Sequence, residues 1–323
     1  MMSERRGAAF GLALQNFTPH PQEPDIGDLI AYAKRAEDAG FDSLWAWDHM
    51  LLGSRNPFPF LESLSTLAAL SQVTDRVQLG TGVLVLPLRN PVVLAKVTST
   101  IDRISGGRLV LGVAAGWYER EFEAIGVPFS QRGKLFERNL DVLFRFWTEE
   151  VVTGEADGMA FKSAVMLPKP AHRPRPPVLV GGYVDRVLKR AGTLGDGWLA
   201  YFYQPDSFRR SWAKVRAFAE QAGQDPDRLG NLSQLVICVD DSYELADRRA
   251  REFMNRYFDT PPWSEATQDH AIRGTADQCA EQLAAHLDAG VRHVALIPCE
   301  YASEQVDAVA SDVLPKVRAG AAA

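Results

Sequence analysis

The stretch DRISGGRLVLGVAAGWYEREFEAIGVPFSQRGKLFERNLDVLFRFW, residues 102–147, decides the fold. Ser105, Gly106 and Gly107 break a helix, and residues 109–115 then form a run of apolar and small side chains. That is how a strand buried on both faces reads. Its end, Ala114-Ala115-Gly116, is small enough for a flat ligand to lie close to the backbone. Residues 117–122, an acidic-aromatic segment, predict a short helix. A longer amphipathic helix follows, with Phe136, Leu140, Leu143 and Trp147 on one stripe. Taken alone, the stretch is a strand, a tight turn and two packed helices, with Trp117 as a core aromatic.

The same grammar recurs along the chain. AEDAGFDSLWAW, AGTLGDGWLAY and LDAGVRHVALI each give a helix end, a capping glycine and a short apolar strand. Strands are expected at 10–14, 41–47, 77–86, 109–115, 177–180, 198–201, 235–240 and 294–298. Helices are expected at 28–39 and 60–73, and another opens at Asn90-Pro91. Eight alternating units point to an α/β chain folded as a (β/α)8 TIM barrel rather than an open doubly wound sheet. With 323 residues the chain exceeds the roughly 250 of a plain barrel, leaving room for insertions. The expectation is a single barrel domain over 1–323 with insertions near 151–176 and 258–274. The first ends in the proline-rich, basic PKPAHRPRPP and predicts a small hairpin. The second carries Trp263 between prolines and reads equally as a lid or as an ordinary surface excursion.

Composition excludes several functions. Hydrophobic residues make up 46% and charged residues 24%, with a net charge of −6, which describes an ordinary globular chain. No basic stripe interleaves with aromatics, so nucleic acid is not an expected partner. Cys238, Cys279 and Cys299 are far apart and the six histidines are scattered. A metal site is therefore not expected, and the cysteine usage fits a reducing cytoplasm. Arg5-Arg6 precedes only a short apolar run with no cleavage site after it, and no segment nears the ~20 apolar residues of a membrane span. A cytoplasmic location is expected, with no membrane partner.

In barrels the chemistry sits at the C-terminal strand ends. Here those ends carry Asn16, Asp48-His49, residues 82–86, Gly116-Trp117, Gly181-Gly182, residues 201–203, Asp240 and Glu300. They include neither a lysine for a Schiff base nor a carboxylate cluster for magnesium. What remains is aromatic and glycine-rich, which suits a planar cofactor. Val180-Gly181-Gly182-Tyr183 passes straight into a helix, as a phosphate cradle or a plain tight turn. Asp48-His49 is either a polar strand cap or a proton-handling pair in which Asp48 orients His49 or bonds a cofactor ring. Gly80 and Gly82 inside the third strand mark a bulge or a close ligand approach.

The order RISGGRLVLGVAAGW…EF…G-x-PF…RG…E strongly resembles the fourth strand and loop of the bacterial-luciferase-like family, and the likeness runs from about 10 to 315. Its members are flavin- or deazaflavin-dependent TIM barrels. The resemblance implies coenzyme F420 as cofactor, with FMN as the alternative, and a hydride passed to or from a small organic substrate. It implies His49 as the proton-exchanging catalytic residue. The implied cofactor-binding residues are Asp48, Gly82, Val83, Ala115, Gly116, Gly181, Gly182 and Tyr183. It also implies a non-proline cis peptide at Gly82-Val83 and a homodimer built on the helices at 60–73 and 91–104. One departure stands out. The family's glucose-6-phosphate dehydrogenases carry a catalytic glutamate where this chain has Trp117, so oxidation of a sugar phosphate is not expected. The competing functions are an FMN-dependent monooxygenase using reduced flavin and oxygen, and a flavin-binding protein without turnover.

Overall fold

The computed structural model describes residues 7–53, 57–258 and 268–320. Among these, the strands are β1 (Ala9–Ala13), β2 (Ser43–Ala46), β3 (Gln78–Val85), β4 (Leu109–Ala114), β5 (Val152–Ala156), β6 (Met159–Ala164), β7 (Val178–Gly181), β8 (Gly197–Tyr201), β9 (Gly230–Val239), β10 (Ile272–Gly274) and β11 (His293–Pro298). Eight of them (β1 to β4, β7 to β9 and β11) alternate with helices as in a (β/α)8 barrel. Contacts gather the chain into two compact units. The first is Asn16–Pro24 with Ala46–Val178, and the second is Met1–Gln15 with Asp25–Trp45 and Leu179–Ala323.

In the first unit β3 and β4 pair in parallel, with a register shift between Thr81 and Leu84. The bulge expected from Gly80 and Gly82 lies there, and the Gly82-Val83 peptide is cis. Thr81 sits inside the sheet because its hydroxyl donates to the Gly112 carbonyl at 2.8 Å. Helix α3 (Pro91–Ile104) starts on the Asn90 side chain, which accepts from the Val92 and Val93 amides. Helix α5 (Arg132–Thr148) buries the anticipated stripe of Phe136, Leu140, Leu143 and Trp147. The hairpin expected in the first insertion is β5 and β6, paired antiparallel. Helix α2 (Ser63–Leu70) is shorter than the pattern at 60–73 suggested. Its first expected residues are held extended instead, with Phe60 bridged to Phe17 and the Leu61 amide donating to the Asn16 carbonyl.

In the second unit the strand order is β7-β8-β9-β11-β1-β2, with β10 beside β9. Strand β9 begins five residues before the expected 235. Asn231, Ser233 and Gln234 are buried within it and interrupt the apolar run that marks a strand in sequence. Strand β10 was not anticipated and lies inside the second expected insertion. The possible lid around Trp263 falls at 259–267, outside the described residues.

A buried polar chain spans this unit. The Trp45 indole donates to the Ser43 hydroxyl at 2.8 Å, and Ser43 lies 2.7 Å from His293 Nε2. Gly11 lies between them on β1, where a Cβ would land on the Ser43 hydroxyl. Burial pushes His293 down to about 4, against a small opposing effect of Asp42. His286, on the helix Ala276–Asp288, is likewise pushed down to about 4 by burial and then by His270.

Both imidazoles are thus neutral in the fold but take up protons near 6.5 once the chain unfolds. Below that pH the unfolded chain binds more protons, so stability falls as pH drops from about 6.5 to about 4. Each histidine contributes on the order of 3 kcal/mol across that window. Thermal midpoints measured at a series of pH values should fall steeply there, and His293→Gln should flatten the slope by about one proton. An unchanged slope in that variant would show that His293 takes no part in the acid response.

Candidate active site

The site is built from the segment that follows β2. Asn16, fully buried, clamps its first residue from both sides: Oδ1 accepts the Trp47 amide at 2.9 Å, and Nδ2 donates to the Trp47 carbonyl at 2.8 Å. The same amide donates to the Leu61 carbonyl at 3.0 Å. Asp48 comes next and is 6% exposed. A carboxylate taken from water needs donors on its oxygens. The donors here are the Ser63 hydroxyl at 2.9 Å, the Val85 amide at 2.9 Å and Arg89 at 2.6 Å. Arg89 also meets Glu62 at 3.1 Å. Burial pushes the Glu62 carboxyl up, but the Ser65 amide, Arg89 and the Leu64 amide outweigh it and hold Glu62 below its usual value.

Asp48 therefore fastens the start of α2 and the end of β3, and none of these bonds reaches His49. Asp48 was one candidate to orient His49, but the acid that touches the ring is Glu121. It lies on α4 (Glu119–Ile125), with its side chain 1% exposed. Oε2 is 3.1 Å from His49 Nδ1. Oε1 accepts the amides of Met50 and of Leu51, the latter at 3.2 Å. The His49 ring meets Phe60 at 5.6 Å and Trp117 at 5.7 Å, both edge-on. Behind Phe60 stands Phe17, stacked at 4.8 Å, and Trp117 continues into Tyr118 at 5.5 Å. Trp117 is half-buried beside His49 rather than a core aromatic.

Gly82 and Val83 occupy the β3 bulge, and Ala115 and Gly116 follow β4 in the same unit. Gly116 has φ 82°, and a Cβ there would press on Val85 at 2.7 Å and Phe122 at 2.8 Å. Packing alone thus accounts for that glycine. In the second unit Gly181 ends β7 and Gly182 has φ 135°. The Gly182 carbonyl accepts the Trp198 indole at 2.9 Å. Tyr183 stacks on Tyr203 at 5.5 Å and donates to the Tyr201 carbonyl at 3.3 Å. Helix α6 (Asp185–Thr193) follows with Val184 at its cap and no side chain bonded to its first amides. Those amides suit a phosphate oxygen.

Two of the basic groups at 169–175 are occupied. Lys169 donates to the Phe146 carbonyl at 2.8 Å, and Arg175 lies 3.7 Å over the Phe144 ring. Sequence reasoning missed Glu121 and the clamp by Asn16. Glu119, Glu121 and Glu123 look alike in the chain, and only the helical phase shared with Phe122 separates the buried one from its exposed neighbours. Among the described residues no helix is long and apolar enough to cross a membrane.

The chain is similar to the F420-dependent glucose-6-phosphate dehydrogenase of Amycolatopsis mediterranei, at 28% identity over 90% of this chain and 95% of that one. It is also similar to the 5,10-methylenetetrahydromethanopterin reductase of Methanolobus tindarius, at 30% identity over 68% of this chain and 64% of that one. Among solved structures, an F420-dependent secondary alcohol dehydrogenase in complex with an F420-acetone adduct superposes with a TM-score of 0.82. The match has 20% identity and covers 97% of this chain and all of that one. That likeness shows the fold, a (β/α)8 barrel. The model of the luciferase-like monooxygenase family matches residues 9–293, and the chain belongs to that family.

Proposed function

We propose that this protein is an oxidoreductase that uses coenzyme F420 to move a hydride to or from a small organic substrate, with His49 exchanging the accompanying proton. One observation carries the reading: an imidazole with 14% of its side chain exposed, whose Nδ1 is held by a buried carboxylate and whose flanks are two aromatic edges. The named activities of the relatives in Amycolatopsis and Methanolobus support the choice of coenzyme. The donor set fits such a ligand, since the first amides of α6 have no side-chain cap and Gly182 keeps side-chain bulk away from them. In the first unit Gly82, Val83, Ala115 and Gly116 would hold the ring, with Asp48 fixing the end of β3 through the Val85 amide. In the second unit Gly181, Gly182 and Tyr183 would hold a phosphate. The bound deazaflavin supplies the hydride acceptor or donor. His49 takes the proton of a substrate hydroxyl at Nε2 in one direction and returns it in the other. Phe60 and Trp117 keep water from the exchange. The indole at 117 leaves no acid at the position of the dehydrogenase glutamate, so the proposed substrate is not a sugar phosphate.

The purified protein should bind F420 more tightly than FMN. His49→Gln should lower turnover by roughly 10²–10⁴ while the coenzyme Kd stays near the parent value. Tight FMN binding with oxygen-dependent product formation would replace this reading with that of a flavin monooxygenase.

The phosphate assignment has its own test at the start of α6. Val184 has the extended backbone of a helix cap (φ −81°, ψ 151°), where aspartate is among the best residues. Val184→Asp should keep or raise the melting temperature and weaken F420 binding about tenfold or more, because its carboxylate takes the amides a phosphate needs. Binding of the phosphate-free deazaflavin should not change. Equal loss for both ligands would place the phosphate elsewhere.

The proposed assembly is a two-fold dimer. Helix α3 turns Val93, Val97 and Ile104 outward, and Val165 and Leu167 are more than half exposed. Lys96 donates to the Leu167 carbonyl and ties that segment to the helix. Apolar side chains exposed together on one face are the mark of an interface. Light scattering at micromolar concentration should give twice the chain mass, and Val93→Glu with Val97→Glu should give the monomer. A monomeric parent chain would overturn the assignment.

A further inference from the structure

The acid that touches His49 is not its neighbour in the chain but Glu121, 72 residues away. We infer that Glu121 is a positioning residue that fixes His49 as the tautomer carrying its proton on Nδ1, so that Nε2 is the nitrogen exchanging a proton with substrate. The inference rests on the reading of His49 as the proton carrier. A carboxylate accepts hydrogen bonds and donates none, so the ring nitrogen facing Oε2 must carry the hydrogen. Oε1 is already taken by the amides of Met50 and Leu51, which fixes the carboxylate with Oε2 toward the ring. Rotating the imidazole by half a turn would place a carbon against Oε2 and forfeit a charge-assisted bond. Phe60 and Trp117, edge-on at 5.6 and 5.7 Å, hold the ring in this plane.

Among the described residues, the charged and titratable groups on the elements that carry His49 and its ring contacts include Asp48, Glu62, Arg89 and Tyr118. Asp48 is spent on Ser63, Val85 and Arg89, and Arg89 on Asp48 and Glu62. Tyr118 packs on Trp117. Among the described residues Glu121 is thus the ionisable group bonded to His49. The same carboxylate also pins residues 50 and 51, so the ring's anchor and the loop's anchor are one side chain. That arrangement serves both directions of the proposed reaction, because Nε2 bears the lone pair in the neutral ring and the extra proton in the charged one.

The test reads the tautomer directly. Two-bond proton–nitrogen spectra of the nitrogen-15-labelled protein, with His49 assigned by its loss in His49→Gln, should show a protonated Nδ1 and a pyridine-like Nε2 in the neutral ring. In Glu121→Gln the Met50 and Leu51 amides keep the carbonyl oxygen and turn the side-chain NH2 toward Nδ1, so the neutral ring should shift to the tautomer protonated on Nε2. Turnover should then fall on the order of 10²-fold or more while the F420 Kd changes little, because an orienting acid replaced by its amide stabilises the wrong tautomer. A hydrogen on Nε2 in the parent protein would overturn the inference, as would Glu121→Gln keeping both the tautomer and the turnover. Should Glu121→Gln fail to fold, the parent spectrum decides alone. Unchanged turnover in His49→Gln would remove the proposed role of His49 and leave the spectrum to judge Glu121.

Discussion

A carboxylate buried to 6% exposure holds the candidate site together. Asp48 leaves water only because a hydroxyl, an amide and a guanidinium replace its hydration shell. Each donor belongs to a different piece of chain: Ser63 opens α2, Val85 closes β3 and Arg89 precedes α3. Removing one member of such a buried pair typically costs about 3–5 kcal/mol, because the remaining charge stays buried without a partner. The constraint therefore lies on the backbone. With Val85 and Ser63 tied to one carboxylate, the end of the bulged strand and the segment carrying His49 are fixed in common. Asn16 adds a second clamp one residue earlier, on both polar groups of Trp47.

Two acids thus divide work that the sequence suggested for one. Asp48 adjoins His49 in the chain, and adjacency made it the natural candidate to orient the ring. Its bonds explain why it does not: the Asp48 carboxylate is committed to Ser63, Val85 and Arg89. The acid that meets the ring comes from another element, α4. The short helix is set by Gly116, whose φ of 82° turns the chain and whose missing side chain makes room for Phe122. Once Phe122 is buried beneath Val85, with Leu88 in the same cluster, helical phase turns Glu121 inward as well.

The fold was legible because its strands are parallel and buried, and so appear as apolar runs after a capping glycine. That signal fails where a strand carries buried polar groups. Asn231 spends its amide on the Gly290 carbonyl at 3.0 Å and its oxygen on the Arg292 amide at 2.8 Å, so its burial cannot be read from hydropathy. Helix α2 failed for a different reason. Phe60 to Glu62 have good helical spacing, but Phe17 and Asn16 draw the first two into an extended path, and tertiary contacts override local propensity. At the candidate site, His49 and the glycine turns stood out by their place at strand ends, to which the resemblance added. Glu121 was not, because a glutamate paired across 72 residues has the same local sequence as a solvated one.

Trp117 bears on how much proton chemistry the proposed reaction requires. Hydride transfer to a carbonyl needs one hydride and one proton, and a single imidazole can supply the proton and recover it later. A second acid beside His49 would add an anion next to Glu121 and Asp48, and like charges in a partly buried space raise the cost of ionising each other. The indole avoids that cost. It meets His49 edge-on, contributes no titratable group and extends an apolar wall through Tyr118. On the proposed reading, Trp117 in place of an acid therefore leaves the proton exchange to His49.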